Sequence, residues 1–366
     1  MFVLEKISIT QFKNYSQSKF NFTERIIGIC GMNGMGKTNL LDAIYYLCFT
    51  KSYFTRADAM NVQFGADGFR LEALFRNEDD EDETQKLQKL VCIYRNPGKK
   101  ELFLNDAAYE KFSAHIGRFP TVIIAPDDVG IILGGSEERR RFIDTVLSQM
   151  DPTYLQNLIN YNKIIAQRNS ALKKFAEHGK VDIHLLDTLD MQLIKPATEI
   201  YRSRKLFTEE LIPIINKFYL QIADNDEMVK IEYTSQLNEF DMETLLHKSR
   251  EKDLLLQRAN SGVHKDDLSF DLNLHAFKNI ASQGQRKSLL FAMKLAEFQL
   301  LAENKGFTPL LLLDDVFEKL DDHRMHNLLE YVCKENDGQV FITDTNRDRL
   351  HNVMKELSVK MQFIEV

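Results

Sequence analysis

Gly31-Met32-Asn33-Gly34-Met35-Gly36-Lys37-Thr38 is the stretch on which the fold of this chain turns. It meets every fixed position of the pattern G-x-x-x-x-G-K-[ST], the phosphate-binding P-loop. Glycines let backbone N–H groups turn inward around phosphate oxygens, and a following helix presents its positive end to them. The lysine reaches the β and γ phosphates, and the hydroxyl after it ligates a metal. The flanks agree with this chemistry. Arg25-Ile26-Ile27-Gly28-Ile29-Cys30 reads as a strand, and Leu40, Leu41, Ile44, Tyr45, Leu47 and Cys48 recur near a spacing of three and four, as on a helix. All eight loop residues are therefore candidate ATP ligands, with Lys37 also catalytic and Thr38 a ligand for Mg2+.

Such a loop needs an acidic partner to hold the metal and orient water. Leu310-Leu311-Leu312-Leu313-Asp314-Asp315 supplies one: four leucines after Pro309 read as a strand buried on both faces, with acids at its carboxyl end, where ligands gather in parallel sheets. Asp314 is the candidate metal ligand and Asp315 the candidate base. Alone, a core strand ending in an acidic turn reads the same way; pairing with the P-loop selects the metal site. The third element is Ser282-Gln283-Gly284-Gln285, just ahead of the amphipathic residues 286–301. A small hydroxyl residue and a glycine at a helix N-terminus make an anion site, although a plain capped helix has the same signature. Its place upstream of the acidic strand, as in ATPases of the ABC type, favours the nucleotide.

Outward from these motifs, the chain is longer than one average domain of roughly 100–200 residues. Its 366 residues predict two lobes. With 44% hydrophobic and 28% charged residues, it has the composition of a globular protein rather than a disordered one. Residues 69–104 read as three strands interrupted by the acidic block Glu78-Asp79-Asp80-Glu81-Asp82-Glu83, expected as a solvated loop, and residues 137–221 as almost wholly helical, with Pro196 and Pro213 as kinks or boundaries. No heptad persists there for a long coiled coil. Strand and helix signals alternate again from Leu268, so the two ends of the chain are expected to share one sheet. Cys30, Cys48, Cys92 and Cys333 lack C-x-x-C spacing and read as buried thiols. Without a secretory signal or an apolar run of roughly 18 residues, the expected location is cytoplasmic, with no membrane contact.

The order of P-loop, Ser-x-Gly-Gln motif and acidic strand resembles the ABC-type heads of SMC and recombination proteins, and closer features resemble the RecF family of bacterial DNA replication and repair proteins. Phe12-Lys13-Asn14-Tyr15 is similar to that family's N-F-R-N-Y, and residues 33–47 to its P-loop and helix. Arg139-Arg140-Arg141-Phe142-Ile143-Asp144 is similar to R-R-x-F-L-D, and Gly262-Val263-His264-Lys265-Asp266-Asp267-Leu268 to G-P-H-R-D-D-L. Ser282-Gln283-Gly284-Gln285 matches S-Q-G-Q, and residues 312–321 resemble L-L-D-D-V-F-x-x-L-D.

The resemblance implies an α/β fold: an ABC-type P-loop ATPase head with a mixed β-sheet (residues 1–108 and 260–366) and an inserted, mainly helical lobe (residues 109–259). It implies an ATP-dependent homodimer in which each ATP lies between one P-loop and the other copy's Ser282 motif, with Asp321 in a loop crossing that interface. It also implies DNA as a partner, double-stranded or at gapped and single-stranded junctions, joint work with RecO and RecR, and placement of RecA at gaps. Val263 and Lys265 depart from the family's proline and arginine. Neither a glutamine loop nor a sensor histidine is evident; Pro126-Asp127-Asp128-Val129 is a candidate for the first place, and Thr343 or Asp344 for the second. Slow hydrolysis is expected.

The net charge of −7 argues against a surface that is basic throughout, so any DNA contact must be local. Candidate contacts are Lys51, Arg56, Arg139 and Arg140, with Lys99, Lys100 and the run Arg202-Ser203-Arg204-Lys205 as further cations; for any one cluster a solvated helix face is a better-supported reading than a DNA contact. Two other readings keep the P-loop: a small-molecule kinase, and an ATP-binding scaffold without useful turnover.

Overall fold

The computed structural model describes residues 2–77, 82, 86–223, 228–316 and 322–366. The chain opens with β1 (Phe2–Phe12) and β2 (Tyr15–Asn21), then enters β3 (Ile26–Cys30), every residue of which is buried. The Lys37–Phe49 helix follows the P-loop; apart from Thr38 and Asn39 all its residues are buried. It is apolar nearly all round because it packs against β1, β4 (Gly68–Asn77) and β5 (Leu87–Arg95) on one side and β8 (Thr121–Ile124) and β13 (Val340–Asp344) on the other. The expected mixed sheet is in fact two. With β6 (Lys99–Leu104) and β7 (Ala107–Ala108), the first runs β2-β1-β4-β5-β6-β7 and is antiparallel throughout. The second runs β14-β3-β13-β12-β8, all parallel, with β12 at Leu310–Leu313 and β14 at Met361–Glu365.

That parallel sheet joins the two ends of the chain. The four leucines of β12 are fully buried, as strands flanked on both edges and covered on both faces require. Ile124 pairs with Leu313, and Asp344 with Cys30, so β8, β12, β13 and β3 all deliver their carboxyl ends to one edge. The P-loop starts there.

The chain divides into two compact units: Met1–Asp128 with Lys217–Asn225 and Gln283–Val366, and Val129–Asn216 with Asp226–Ser282. Residues 109–128, expected in the helical insertion, fall in the first because β8 pairs with β12. Residues 260–282, expected in the head, fall in the second: β10 (Asp267–Leu272) pairs there with β9 (Lys230–Thr234) and β11 (His275–Ala276).

The second unit is otherwise helical, with helices at Ser136–Met150, Pro152–His178 and Met242–Leu256 and most of Ile183–Ala223. Neither Pro196 nor Pro213 ends that last helix. Leu186, Leu189, Leu193, Ala197 and Ile200 bury one continuous face, and that packing outweighs the hydrogen bonds that proline removes. Arg168 is fully buried and binds Asp190 (2.6 Å) and Asp253 (2.7 Å), tying three helices together.

Candidate nucleotide site

Residues 32–35 of the loop are exposed, whereas Gly36 and Lys37 are buried beneath them. Gly34 (φ 83°) and Gly36 (φ 119°) both take left-handed backbone. At position 36 glycine is required twice over, since a Cβ would meet Asn14 Nδ2 at 2.7 Å. Gly36 gives the following helix no side-chain cap, and its first turn holds no acid, so its first N–H groups face the loop without competition from a carboxylate or hydroxyl. That arrangement suits a phosphate. Lys37 Nζ donates to Gly31 O (2.7 Å) and Met32 O (3.1 Å), which holds the ammonium inside the loop.

The β1–β2 hairpin braces this loop. Asn14 Nδ2 donates to Met35 O (2.9 Å), Tyr15 OH donates to Gly36 O (3.1 Å), and Asn39 Nδ2 donates to Asn14 Oδ1 (2.8 Å). Lys13 pairs with the fully buried Asp42 on the P-loop helix at 2.5 Å. The sequence marks Phe12-Lys13-Asn14-Tyr15 only by family likeness; the bracing role depends on contacts twenty or so residues apart along the chain.

Asp314 lies just past β12, and its two carboxylate oxygens each stand 3.0 Å from Thr38 Oγ1. Thr343 Oγ1 donates to Asp314 Oδ1 (2.9 Å) and accepts from Asp315 N (2.8 Å), so one hydroxyl fixes both acids. Burial raises the Asp314 carboxyl above its ordinary range, against hydrogen bonds from Thr343 and Thr38 that lower it. Thr38 and Asp314 together offer hard oxygen donors. No group of three or more His, Cys, Asp or Glu side chains converges on a metal site among the described residues. A cation here would complete its shell with phosphate oxygens and water, the habit of magnesium rather than calcium. Asp315 is half-buried with φ 53°, a left-handed conformation unusual outside glycine.

Of the two sensor candidates, Thr343 faces the acids. Asp344 is fully buried and turned to its own loop, accepting from Asn346 N and from Arg349 Nε (3.0 Å) and Nη2 (2.6 Å). The turn Pro126–Asp128 follows β8 beside Asp314, whose N–H donates to Ile124 O. There Asp128 is structural, accepting from Ala125 N (2.8 Å) and Tyr53 OH, while Asp127 is exposed.

Ser282 and Gln283 are exposed at the start of the Gln283–Lys305 helix, and Gly284 is half-buried against Arg324, whose Nη1 would lie 2.1 Å from an added Cβ. A side chain at 284 would thus displace the tip of Arg324, and Gln285 follows half-buried. Asp321 lies outside the described residues, as does most of the acidic block.

The basic clusters sort sharply. Arg139 is buried, its guanidinium forked onto Asp267 (2.6 and 3.0 Å) with Nη1 on Gly134 O, and Arg140 donates to Asp266 O. Arg139 thus spends its guanidinium tying the Ser136–Met150 helix to β10, and half-buried Arg140 ties the same helix to the residue just before that strand. Arg204 is likewise buried between Asp144 and Asp266. Lys100 is held by Asp58 and Thr50 O, whereas Lys51, Arg56, Arg202 and Lys205 are exposed. His264 and Asp266 are structural too, bonded to Tyr161 and Tyr233. Val263 takes the proline's place in a buried turn, and Lys265 points to solvent.

Comparison with known proteins agrees with this geometry. Residues 3–365 match the RecF/RecN/SMC N terminal domain family. The chain is 43% identical to the DNA replication and repair protein RecF of Flavobacterium johnsoniae, covering 96% of each chain. It is 41% identical to that of Cytophaga hutchinsonii, covering 94% of this chain and 90% of the relative. Among solved structures, the recombination mediator protein RecF-ATP in the RecFOR pathway superposes with a TM-score of 0.86 at 31% identity, covering 94% of this chain and 92% of that one. An Smc head domain from Pyrococcus furiosus, at 15% identity and a TM-score of 0.57 over 99% of this chain and 93% of that one, shares the fold alone. P-loop, braced hairpin, acidic strand and Ser282 motif thus stand in a chain that belongs, over essentially its whole length, to the RecF family.

Proposed function

We propose that this chain is an ATP-gated DNA-binding protein of replication and recombinational repair, in which Mg2+ and ATP close two copies into a clamp and hydrolysis reopens it. The observation that carries the reading is the half-built pocket. Lys37, Thr38, Asp314 and Asp315 lie together in one chain, while Ser282 and Gln283, the remaining phosphate-binding candidates, are exposed at the start of a helix. An exposed anion-binding turn of this kind suits a nucleotide held by a second copy. Relatives solved as RecF-ATP and RecF-ATPrS in the RecFOR pathway support ATP as the ligand. By the same kinship, RecO and RecR are the proposed partners, RecA the recombinase placed at gaps, and Asp321 a residue of the closed interface.

In this mechanism Lys37 and the loop N–H groups hold the β and γ phosphates, and Thr38 and Asp314 would hold Mg2+, which would supply neutralisation of phosphate charge. Asp315 orients and deprotonates the attacking water, held in place through Thr343. Turnover is slow and serves as a switch. A cytoplasmic location fits, and no helix among the described residues is long and apolar enough to cross a membrane.

The test is to measure self-association by light scattering and duplex binding by fluorescence anisotropy, with and without Mg2+ and ATP. ATP should promote both. Ser282→Arg should abolish ATP-driven association while single-chain nucleotide binding survives, whereas a small-molecule kinase would be indifferent to it. If ATP changes neither association nor DNA binding, the clamp reading is lost.

A further inference from the structure

The Pro152–His178 helix has a face that the nucleotide site does not explain. Residues 152–176 contain no Asp or Glu, although 54 acids in 366 residues would put three or four in such a stretch. The helix's inward cation, Arg168, is compensated by Asp190 and Asp253. Its outward cations are not. Gln156, Asn160, Lys163, Gln167, Ser170 and Lys174 succeed one another at spacings of three and four, so they form a single stripe along the helix. All six are exposed, and all six carry hydrogen-bond donors. Lys163 and Lys174 enter no ion pair among the described residues; the side-chain bond along the stripe runs from Gln156 Nε2 to Asn160 Oδ1 at 3.0 Å.

A solvated helix in an acidic protein ordinarily interleaves both signs of charge, as the neighbouring Met242–Leu256 helix does with Glu243, Lys248, Arg250, Glu251 and Lys252. A stripe of amide, hydroxyl and ammonium donors without a carboxylate is complementary to a row of anionic acceptors. From position 156 to 174 it spans about 27 Å at 1.5 Å per residue. That matches about eight base pairs of duplex.

We propose that this helix face binds the phosphate backbone of DNA, lysines supplying charge and Gln, Asn and Ser supplying backbone hydrogen bonds that position without reading sequence. This rests on the DNA-binding reading above and adds to it the surface responsible. Arg139 and Arg140 are engaged inside the same unit, so the stripe takes the place that those residues were expected to fill.

The experiment is a salt titration of the full chain, with Mg2+ and ATP, against a fluorescein-labelled duplex of about 30 base pairs. Lys163→Gln/Lys174→Gln should weaken binding at least about tenfold near 0.1 M NaCl and make the plot of log affinity against log salt shallower by about two. Glu177→Lys, which extends the stripe, should tighten binding and steepen the slope by about one. Melting temperature, nucleotide affinity and ATP-driven association should stay at wild-type values in both variants. If the wild type binds DNA and both variants share its affinity and slope, this inference is overturned while the clamp reading stands. If the wild type binds no DNA under any condition, the clamp reading falls and the inference with it.

Discussion

Asn14 donates to one P-loop carbonyl and accepts from Asn39 in the next turn, so it transmits the rigidity of the β-hairpin to the loop. A hydrogen bond of this kind is worth about 1 kcal/mol net, or about fivefold in an equilibrium constant. Asn14→Ala should therefore weaken nucleotide binding by about three- to tenfold without changing melting temperature much, as read by titration with a fluorescent ATP analogue; unchanged affinity would show that the hairpin does not stiffen the loop. Lys37 and Thr38 were legible in the sequence because their chemistry lies within eight consecutive residues. Asn14 stood out only by family likeness and Thr343 only as one of two sensor candidates; their partners were not legible, because the fold brings them together. A second effect at this scale concerns pH. His115 is fully buried, its Nε2 donating to Leu47 O at 2.7 Å, and burial pushes its pKa down from 6.5 to about 4. Between those values the unfolded chain binds a proton that the folded chain does not, so stability is complete above pH 6.5 and declines as pH falls toward 4. By pH 5 the loss is about 2 kcal/mol. Denaturant midpoints from pH 7 to pH 5 should show it, and His115→Gln, which keeps a donor for Leu47 O, should flatten the profile by about that amount.

Among elements, the Ser136–Met150 helix shows how a basic run misleads. Arg139-Arg140-Arg141 in the sequence has no preferred side; on a helix its members point 100° apart, and here the first is buried on Asp267 while Arg141 pairs in solvent with Glu137 and Glu138. Which arginine turns inward depends on where β10 lies, and that strand is over a hundred residues away. Removing a charged donor from a paired carboxylate costs about 2 kcal/mol. Arg139→Ala should therefore lower the melting temperature, with DNA affinity per folded molecule and the salt slope both unchanged. A shallower salt slope at constant stability would return Arg139 to the DNA interface. The long helix through Pro196 and Pro213 teaches the same lesson from the other side. Proline is a strong local signal for a boundary, yet the buried leucine face, visible at its own helical spacing, decides the outcome.

Across the whole molecule, Asp314 and Asp315 depend on a sheet assembled from both ends of the chain. The four-leucine strand and the strand before the P-loop were each legible in the sequence, since burial on both faces leaves an uninterrupted apolar run. Their spatial order was not: β13 separates β3 from β12, and it is β13 that brings Thr343 to Asp314 and Asp315. β2 and β14, edge strands with mixed polarity, left no such signal. Under the proposed mechanism the neighbouring acids take separate duties. Asp314, bonded to Thr38 and deeply buried, would hold the metal, whereas half-buried Asp315, whose backbone N–H donates to Thr343 Oγ1, would act on the water. Loss of a general base costs about 10²–10⁴-fold in rate. Asp315→Asn should lose turnover on that scale while ATP affinity stays near wild type, and ATP should then hold the two copies together for far longer, measured as the lifetime of the associated form after excess nucleotide is diluted away. Thr343→Val should lose part of both functions, because its hydroxyl serves both acids. If Asp315→Asn hydrolyses ATP at the wild-type rate, the base lies elsewhere and the switch is not reset at this residue.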